Sequence, residues 1–310
     1  MKFELTILGC GSALPVVRRG ASAQVLSIQE RYFLIDCGEG TQVQLRRFKV
    51  KFQKIEHIFI SHLHGDHFFG LIGLISSLHL LGRTRTMHIY GPPGLQEILE
   101  VQFKHSETFL RFPIEYHTTR FDKNEIIYED NVVTVESLVL NHRIPCCGFL
   151  FREKKKPRKM RKDQLEIHNI PVAAIPGIKS GDDFTTENGQ VIPNKSLTNP
   201  SAEARSYAYC SDTAYHEPLI PALENVDLLY HEATFLSDRE ENAKQTNHST
   251  AKQAATIAKA ANVKQLILGH YSARYRELEK FIEEAKPVFD NCILAEEGQR
   301  YTVPLKASVD

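Results

Sequence analysis

Apolar and polar positions alternate from the first residues, and "ELTILG", "AQVLSIQ" and "RYFLID" each predict a strand with one face turned to a core. Further short apolar or β-branched runs follow in "IEHIFIS", "TMHIYG", "NVVTVESLVLNH", "SYAYCSD", "VDLLYHE" and "VKQLILGH", and they predict more strands. Helical spacing appears over Thr41–Phe48, Gly70–Leu81 and Gly94–Phe103. It recurs over Ser249–Asn262, where Ser249 and Thr250 can cap an alanine-rich stretch. A last helix is predicted over Ala273–Glu284. Strands lead in each half of the chain and helices gather behind them. That order predicts an α/β fold with two sheets face to face and helices outside, a four-layer αββα sandwich.

Polar residues interrupt this pattern at regular places. Asp36 follows "YFLI", His62 follows "HIFIS", and His142 follows "SLVLN". Asp212 follows "YAYCS", His231 and Glu232 follow "DLLY", and His270 follows "LILG". Each sits at the C-terminal end of a predicted strand, where a rigid element hands over to a loop and side chains can converge on one point. A random scatter of 14 histidines would not choose strand ends so consistently.

The densest group is "FISHLHGDHFFG", which holds His62, His64, Asp66 and His67. If "HLH" is extended, His62 and His64 project to one side. Gly65 then permits a sharp turn that swings Asp66 and His67 elsewhere. Each pair suits its own metal ion. His142 and His270 can each complete one site, and Asp212 can bridge both. Nitrogen and carboxylate ligands without thiolate fit zinc, with manganese or iron able to substitute.

Composition narrows the setting. The chain has 310 residues, 42% hydrophobic and 25% charged, as expected of a globular protein with a substantial core. No apolar run is long enough to span a bilayer, and "MKFELTILGCGS" enters a strand pattern directly, with no signal peptide. The six cysteines are scattered in apolar settings without a CxxC, which predicts reduced, packed thiols in a cytoplasmic protein. Formal net charge is +0, so any polyanionic partner must be held by a local basic patch.

"FREKKKPRKMRKDQ" supplies such a patch with Lys154, Lys155, Lys156, Arg158, Lys159, Arg161 and Lys162. It opens a segment, 151–199, dense in Pro, Gly, Asn and Lys and too polar for the sandwich core. The expected organisation is therefore one domain over 1–310 with an inserted basic, flexible arm at 151–199.

These motifs together resemble the metallo-β-lactamase superfamily and, within it, the ribonuclease Z family. The resemblance is carried by "LGCGSALP", "IDCGEGTQVQLRR", "SHLHGDHFFGLIGL", "YCSDT", "HEATF", "NHSTAKQAA" and "LILGHYSARY", in that order along nearly the whole chain. It implies a zinc-dependent endoribonuclease that removes the 3′ trailer from precursor tRNA, leaving a 3′-hydroxyl on the tRNA and a 5′-phosphate on the trailer. It also implies two zinc ions per subunit, with His62, His64 and His142 on one and Asp66, His67 and His270 on the other. Asp212 would bridge them, and Asp36 would steady the ligands from behind. Asp66 would orient or deprotonate the attacking water. His248, oriented by Glu232, would protonate the leaving oxygen or stabilise its charge. The basic segment would grip the tRNA elbow, and the enzyme would be a cytoplasmic homodimer in which one subunit's arm can serve the other's active site. The chain departs from the family pattern at "PVAAIPGIKSG", where family members often carry a Gly-Pro pair.

Two other classes fit the sequence less well. A small-molecule phosphodiesterase or other hydrolase on the same fold has no need of a distant basic arm. A non-enzymatic nucleic-acid binder has no need of a complete ligand set.

Overall fold

The computed structural model describes residues 1–306. The chain divides into two compact units, one built from Met1–Arg152 with Ser206–Val303 and the other from Glu153 to Arg205 with 304–306.

The first unit contains two seven-stranded sheets. In one, β1 (Phe3–Gly9), β2 (Ala23–Ile28), β3 (Arg31–Cys37), β4 (Ile55–Phe59), β5 (Met87–Gly91) and β6 (Ile114–Thr118) lie side by side. The other runs from β7 (Glu125–Glu129) through β8 (Val133–Val139), β9 (Cys147–Glu153), β10 (Ser206–Cys210), β11 (Leu228–Glu232) and β12 (Leu266–Gly269) to β13 (Cys292–Leu294). Finally β14 (Arg300–Thr302) returns to pair with β1. Strands β6, β7, β13 and β14 are only three to five residues long, too short to establish a period, and were not legible in the sequence.

The layering follows from the period of two. Along β3, Phe33 and Ile35 join Phe149, Phe151 and Tyr207 in the core between the sheets. Leu34, facing the other way, packs with Leu45, Leu71, Leu74 and Leu78 of the helices Thr41–Arg47 and Leu71–Leu80. On the far side, the helix Ala251–Ala260 buries Ala251, Ala254, Ala255, Ile257 and Ala258. Its start is set by a capping box, in which the Thr250 hydroxyl accepts from the Gln253 N–H while the Gln253 side chain accepts from the Thr250 N–H. The four-layer αββα architecture expected from the sequence is therefore the one observed.

Both sheets contain four parallel strands, β3 to β6 and β10 to β13, as their pairings show. Their C-terminal ends are where loops can gather polar groups without breaking a ladder.

One expected helix is shorter than its spacing suggests. Helix begins only at Glu279 and ends at Ala285, and 273–278 is turn and irregular chain. Arg19 donates to the Ser272 carbonyl at 3.3 Å and the Tyr275 carbonyl at 2.7 Å, while the Tyr275 hydroxyl accepts from the Leu236 N–H. Tertiary partners thus claim the groups that an earlier helical turn would use.

The second unit has a small core of Ile170, Ile178, Ile192 and Leu197. Around it stand the paired strands Lys159–Met160 and Thr198–Asn199, the hairpin Phe184–Thr185 with Val191–Ile192, and the helices Lys162–Ile167 and Ile175–Ser180. It starts two residues later than composition suggests because Phe151 and Arg152 still pair with Tyr207 and Ser206 in the large sheet. At its base Arg205 donates twice to Glu153, at 2.8 Å to each carboxylate oxygen, and both side chains are buried.

Candidate metal centre

The "HLHGDH" group leaves the sheet where β4 ends. His64, with an extended backbone, precedes a short helical turn at Gly65–Phe68. Gly65 serves packing here more than turn geometry, since a Cβ on it would lie 2.2 Å from the Phe69 ring. Three other participating residues hold left-handed backbone conformations, Asp36 at φ 54°, Asp212 at 61° and His270 at 59°. Such conformations cost non-glycine residues free energy and persist where surrounding structure demands them.

Two trios of side chains meet around Asp212. In the first, His64 Nδ1 lies 3.0 Å from His62 Nε2 and 3.3 Å from His142 Nε2. In the second, the Nε2 atoms of His67 and His270 are 3.2 Å apart, and each is 3.5 Å from Asp66 Oδ2. Asp212 divides its oxygens between them. Its Oδ1 is 3.1 Å from both His67 and His270, and its Oδ2 is 3.5 Å from His62 and 3.7 Å from His142. Donors 2.0–2.1 Å from a tetrahedral ion lie roughly 3.3 Å apart. The spacing within each trio therefore suits one cation.

The far sides of the rings point to the same conclusion. His62 Nδ1 faces the Ser61 hydroxyl at 2.9 Å, and His67 Nδ1 faces Asp36 Oδ2 at 2.7 Å. His142 Nδ1 faces the Asn247 carbonyl at 3.1 Å, and His270 Nδ1 faces the Thr234 hydroxyl at 2.9 Å. Each acceptor draws the ring proton outward and leaves an Nε2 lone pair directed into the cluster. Asp36, fully buried, is itself held by the Ser61 N–H at 2.7 Å, the Ser61 hydroxyl at 2.9 Å and the Tyr209 hydroxyl at 2.6 Å.

Electrostatics point to the same donor set. Burial opposes charge on His67, yet the carboxylates of Asp212, Asp66 and Asp36 outweigh it and hold that imidazole well above its ordinary pKa. Burial and the neighbouring His67 push His62 the other way. Burial would raise Asp212, but the surrounding imidazoles hold it well below the usual carboxylate range. The carboxylates favour positive charge around His67, while burial keeps His62, His64 and His142 neutral with lone pairs to offer, a combination that suits divalent cations. The donor set fits metal binding.

Beside the trios, His248 Nδ1 lies 2.7 Å from Glu232 Oε1. Glu232 is fully buried and also accepts from the Thr213, Thr234 and Ser249 N–H groups. Burial would lower the pKa of His248, but the Glu232 carboxylate outweighs it and raises it to about 9. For Glu232, burial is likewise overridden by His248, and its pKa falls. His248 lines a cleft of about 480 Å³ together with His64, Asp66, His142 and Asp212, so the dyad opens onto the cluster.

A protein named ribonuclease Z from Bacteroides thetaiotaomicron is 49% identical over 302 residues, covering 97% of this chain and 96% of its own length. The chain belongs to the ribonuclease Z family. A second ribonuclease Z, from Cytophaga hutchinsonii, is 48% identical across 98% of this chain and 97% of its own. Among solved structures, the short form of human tRNase Z superposes with a TM-score of 0.71 at 29% identity, covering 97% of this chain and 99% of that one. A family model described as "Beta-lactamase superfamily domain" matches residues 153–271, and one described as "Anti-Pycsar protein Apyc1" matches 3–140. The fold is the metallo-β-lactamase fold.

Within this ribonuclease Z family member, the sequence reading singled out both trios, Asp212, Asp36 and the Glu232–His248 dyad, and the structure brings these side chains together. It overlooked Ser61, Thr234, Tyr209 and Arg143. Ser61 and Thr234 had a local signal, a hydroxyl beside a strand-end His or Glu. Tyr209 had none, because its hydroxyl reaches Asp36 from 173 positions away. Arg143 is exposed and its guanidinium lies 3.1 Å from His64 Nε2 on the cleft wall. In the second unit the basic run divides. Lys155, Lys159 and Lys162 are exposed, whereas Lys154, Lys156, Arg158 and Arg161 are partly buried. Arg158 donates to the Thr198 hydroxyl at 2.7 Å, and Arg161 pairs with Asp163 at 3.2 Å.

Proposed function

We infer that the chain is the endoribonuclease that removes the 3′ trailer from precursor tRNA, leaving a 3′-hydroxyl on the tRNA and a 5′-phosphate on the trailer. The observation that carries this reading is Asp212, one oxygen against each ligand trio, at a cleft that also presents His248, in a chain of the ribonuclease Z family. The proposed cofactors are two zinc ions, one held by His62, His64 and His142 and the other by Asp66, His67 and His270, with Asp212 shared. Zinc bound by these residues would supply positive charge against the phosphodiester and lower the pKa of the attacking water to about 7.

The chain's own groups perform the rest. Asp66, held by the Ala13 N–H at 2.7 Å, orients the water and accepts its proton. As the water oxygen bonds to phosphorus, the bond to the tRNA 3′-oxygen breaks. His248, kept protonated by Glu232, gives that oxygen a proton. Asp36 fixes the ring of His67 and, through Ser61, that of His62.

Unit 153–205 is proposed as the tRNA-gripping arm, with Lys155, Lys159 and Lys162 as its freest cations and the other basic residues shaping the same surface. The homodimer and a cytoplasmic setting belong to the same proposal. All six cysteines are free and buried, which suits a reducing compartment. The test is incubation of the purified protein with a trailer-bearing precursor tRNA. Cleavage at the trailer junction, abolished by chelator and restored by zinc, is the expected result. An untouched precursor alongside rapid hydrolysis of a small phosphodiester would replace this reading with that of a small-molecule hydrolase.

A further inference from the structure

A second cluster of imidazoles stands apart from the cleft on neighbouring strands. Strands β5 and β6 pair in parallel, with His88 opposite Glu115 and Tyr90 opposite His117. Residues paired in this way, and residues two apart on one strand, share a face, so His88, Glu115 and His117 project together. β6 is the last strand of its sheet, and all three side chains are partly open to solvent.

His88 Nδ1 lies 3.2 Å from His117 Nε2 and 3.3 Å from Glu115 Oε2. One ring nitrogen offers either one proton or one lone pair, so it cannot serve both neighbours well by hydrogen bonding. The carboxylate distance is also long for an N–H···O bond, whose range ends at about 3.2 Å. Both separations match the edge of a tetrahedron of ligands around one ion, roughly 3.3 Å. Rings on either side hold the two imidazoles in place. His57, paired with His88 on β4, stacks on it at 4.9 Å between centroids, and its Nδ1 is buried with no hydrogen-bond partner. On the other side Tyr90 stacks on His117 at 4.4 Å and on Phe59 at 4.6 Å, which holds the His117 plane in place.

We propose that His88, Glu115 and His117 form a further divalent-metal site, separate from the trios around Asp212. Two imidazoles and one carboxylate suit zinc, with nickel, copper and cobalt as competitors, and leave a fourth position for water or another donor. The bound ion ties the edge strand β6 to β5. An exposed edge has unpaired backbone groups and frays first, so the site acts as a clasp on the open side of the sheet.

The test compares the intact zinc-loaded protein with His117→Gln and Glu115→Gln forms. Equilibrium dialysis against excess zinc should leave one more zinc per chain on the wild type than on either variant. Added zinc should raise the thermal midpoint of the wild type alone, while all three proteins cleave precursor tRNA at equal rates. Equal zinc content in the wild type and both variants would overturn the site. Equal gains in thermal midpoint would do the same. Glu115→Gln changes one exposed atom, so it carries the comparison even if His117→Gln folds poorly.

Discussion

At the metal centre Asp36 is fully buried and receives hydrogen bonds from Ser61, His67 and Tyr209, whereas in unit 153–205 Lys155, Lys159 and Lys162 stand in solvent. Both regions are rich in charge, and they use it differently. In the first, low polarity strengthens each interaction, so every donor and acceptor must be matched and small displacements are costly. In the second, water screens each charge, so no single lysine matters greatly and their sum acts at longer range. The first arrangement suits chemistry that depends on position, and the second suits affinity that depends on count.

This contrast can be broken most decisively at Asp212. Asp212→Ala removes an oxygen from each trio, and cleavage should fall by on the order of 10⁴-fold. Metal analysis should show fewer ions per chain than the wild type carries. Full activity with the wild-type metal content would mean that the shared carboxylate is dispensable.

His248→Ala should slow cleavage by about 10²–10³-fold while leaving the metal content intact. In the proposed mechanism His248 works in its protonated form, and its pKa is raised to about 9, so its contribution should be present at neutral pH and lost as pH rises through that value. Divalent cations nearby move the loss to lower pH. The wild-type rate profile should therefore carry an alkaline limb at or below about 9 that the variant lacks. An unchanged limb would remove His248 from proton transfer.

Asp36→Asn keeps the shape of the side chain and removes its charge. A partner of metal-ligating histidines changed in this way costs about 10–100-fold in metal affinity or activity. The readout is zinc affinity by competition with a chelator, with cleavage measured at saturating zinc. Zinc affinity equal to the wild type would show that the shape of Asp36, and not its charge, holds the two rings.

The smallest effect belongs to the other side of the comparison. Replacing Lys155, Lys159 and Lys162 together with alanine should raise KM for precursor tRNA by about tenfold and flatten its dependence on salt. Hydrolysis of a small phosphodiester should stay at the wild-type rate. Equal loss on both substrates would dissolve the division between the two regions.

The two regions were also unequally legible. The ligand-bearing loops follow runs such as "HIFIS" and "LILG", whose local pattern marks both the strand and its end. The helix Ala251–Ala260 was readable for the same reason, with Thr250 and Gln253 forming its cap three residues apart. In unit 153–205 the core is made of four scattered residues, Ile170, Ile178, Ile192 and Leu197, held among prolines, glycines and lysines. Elements of two to six residues are too short to show a period, so composition marked only a polar, basic insert. The turn at 273–278 misled for the opposite reason. Its spacing is helical, but Arg19 and Leu236, distant in the chain, claim its polar groups.

Read alone, the chain determined the layers and the kinds of ligand, because alternation and the choice of His, Asp or Gly are local properties carried by neighbouring residues. Only the tertiary structure decided which ligands meet. His67 and His270 touch across 203 positions, and the two oxygens of Asp212 face different trios because two sheets pack face to face. Ring orientation was decided there as well, since a histidine's inward lone pair depends on the acceptor behind it, and those acceptors come from other strands and loops.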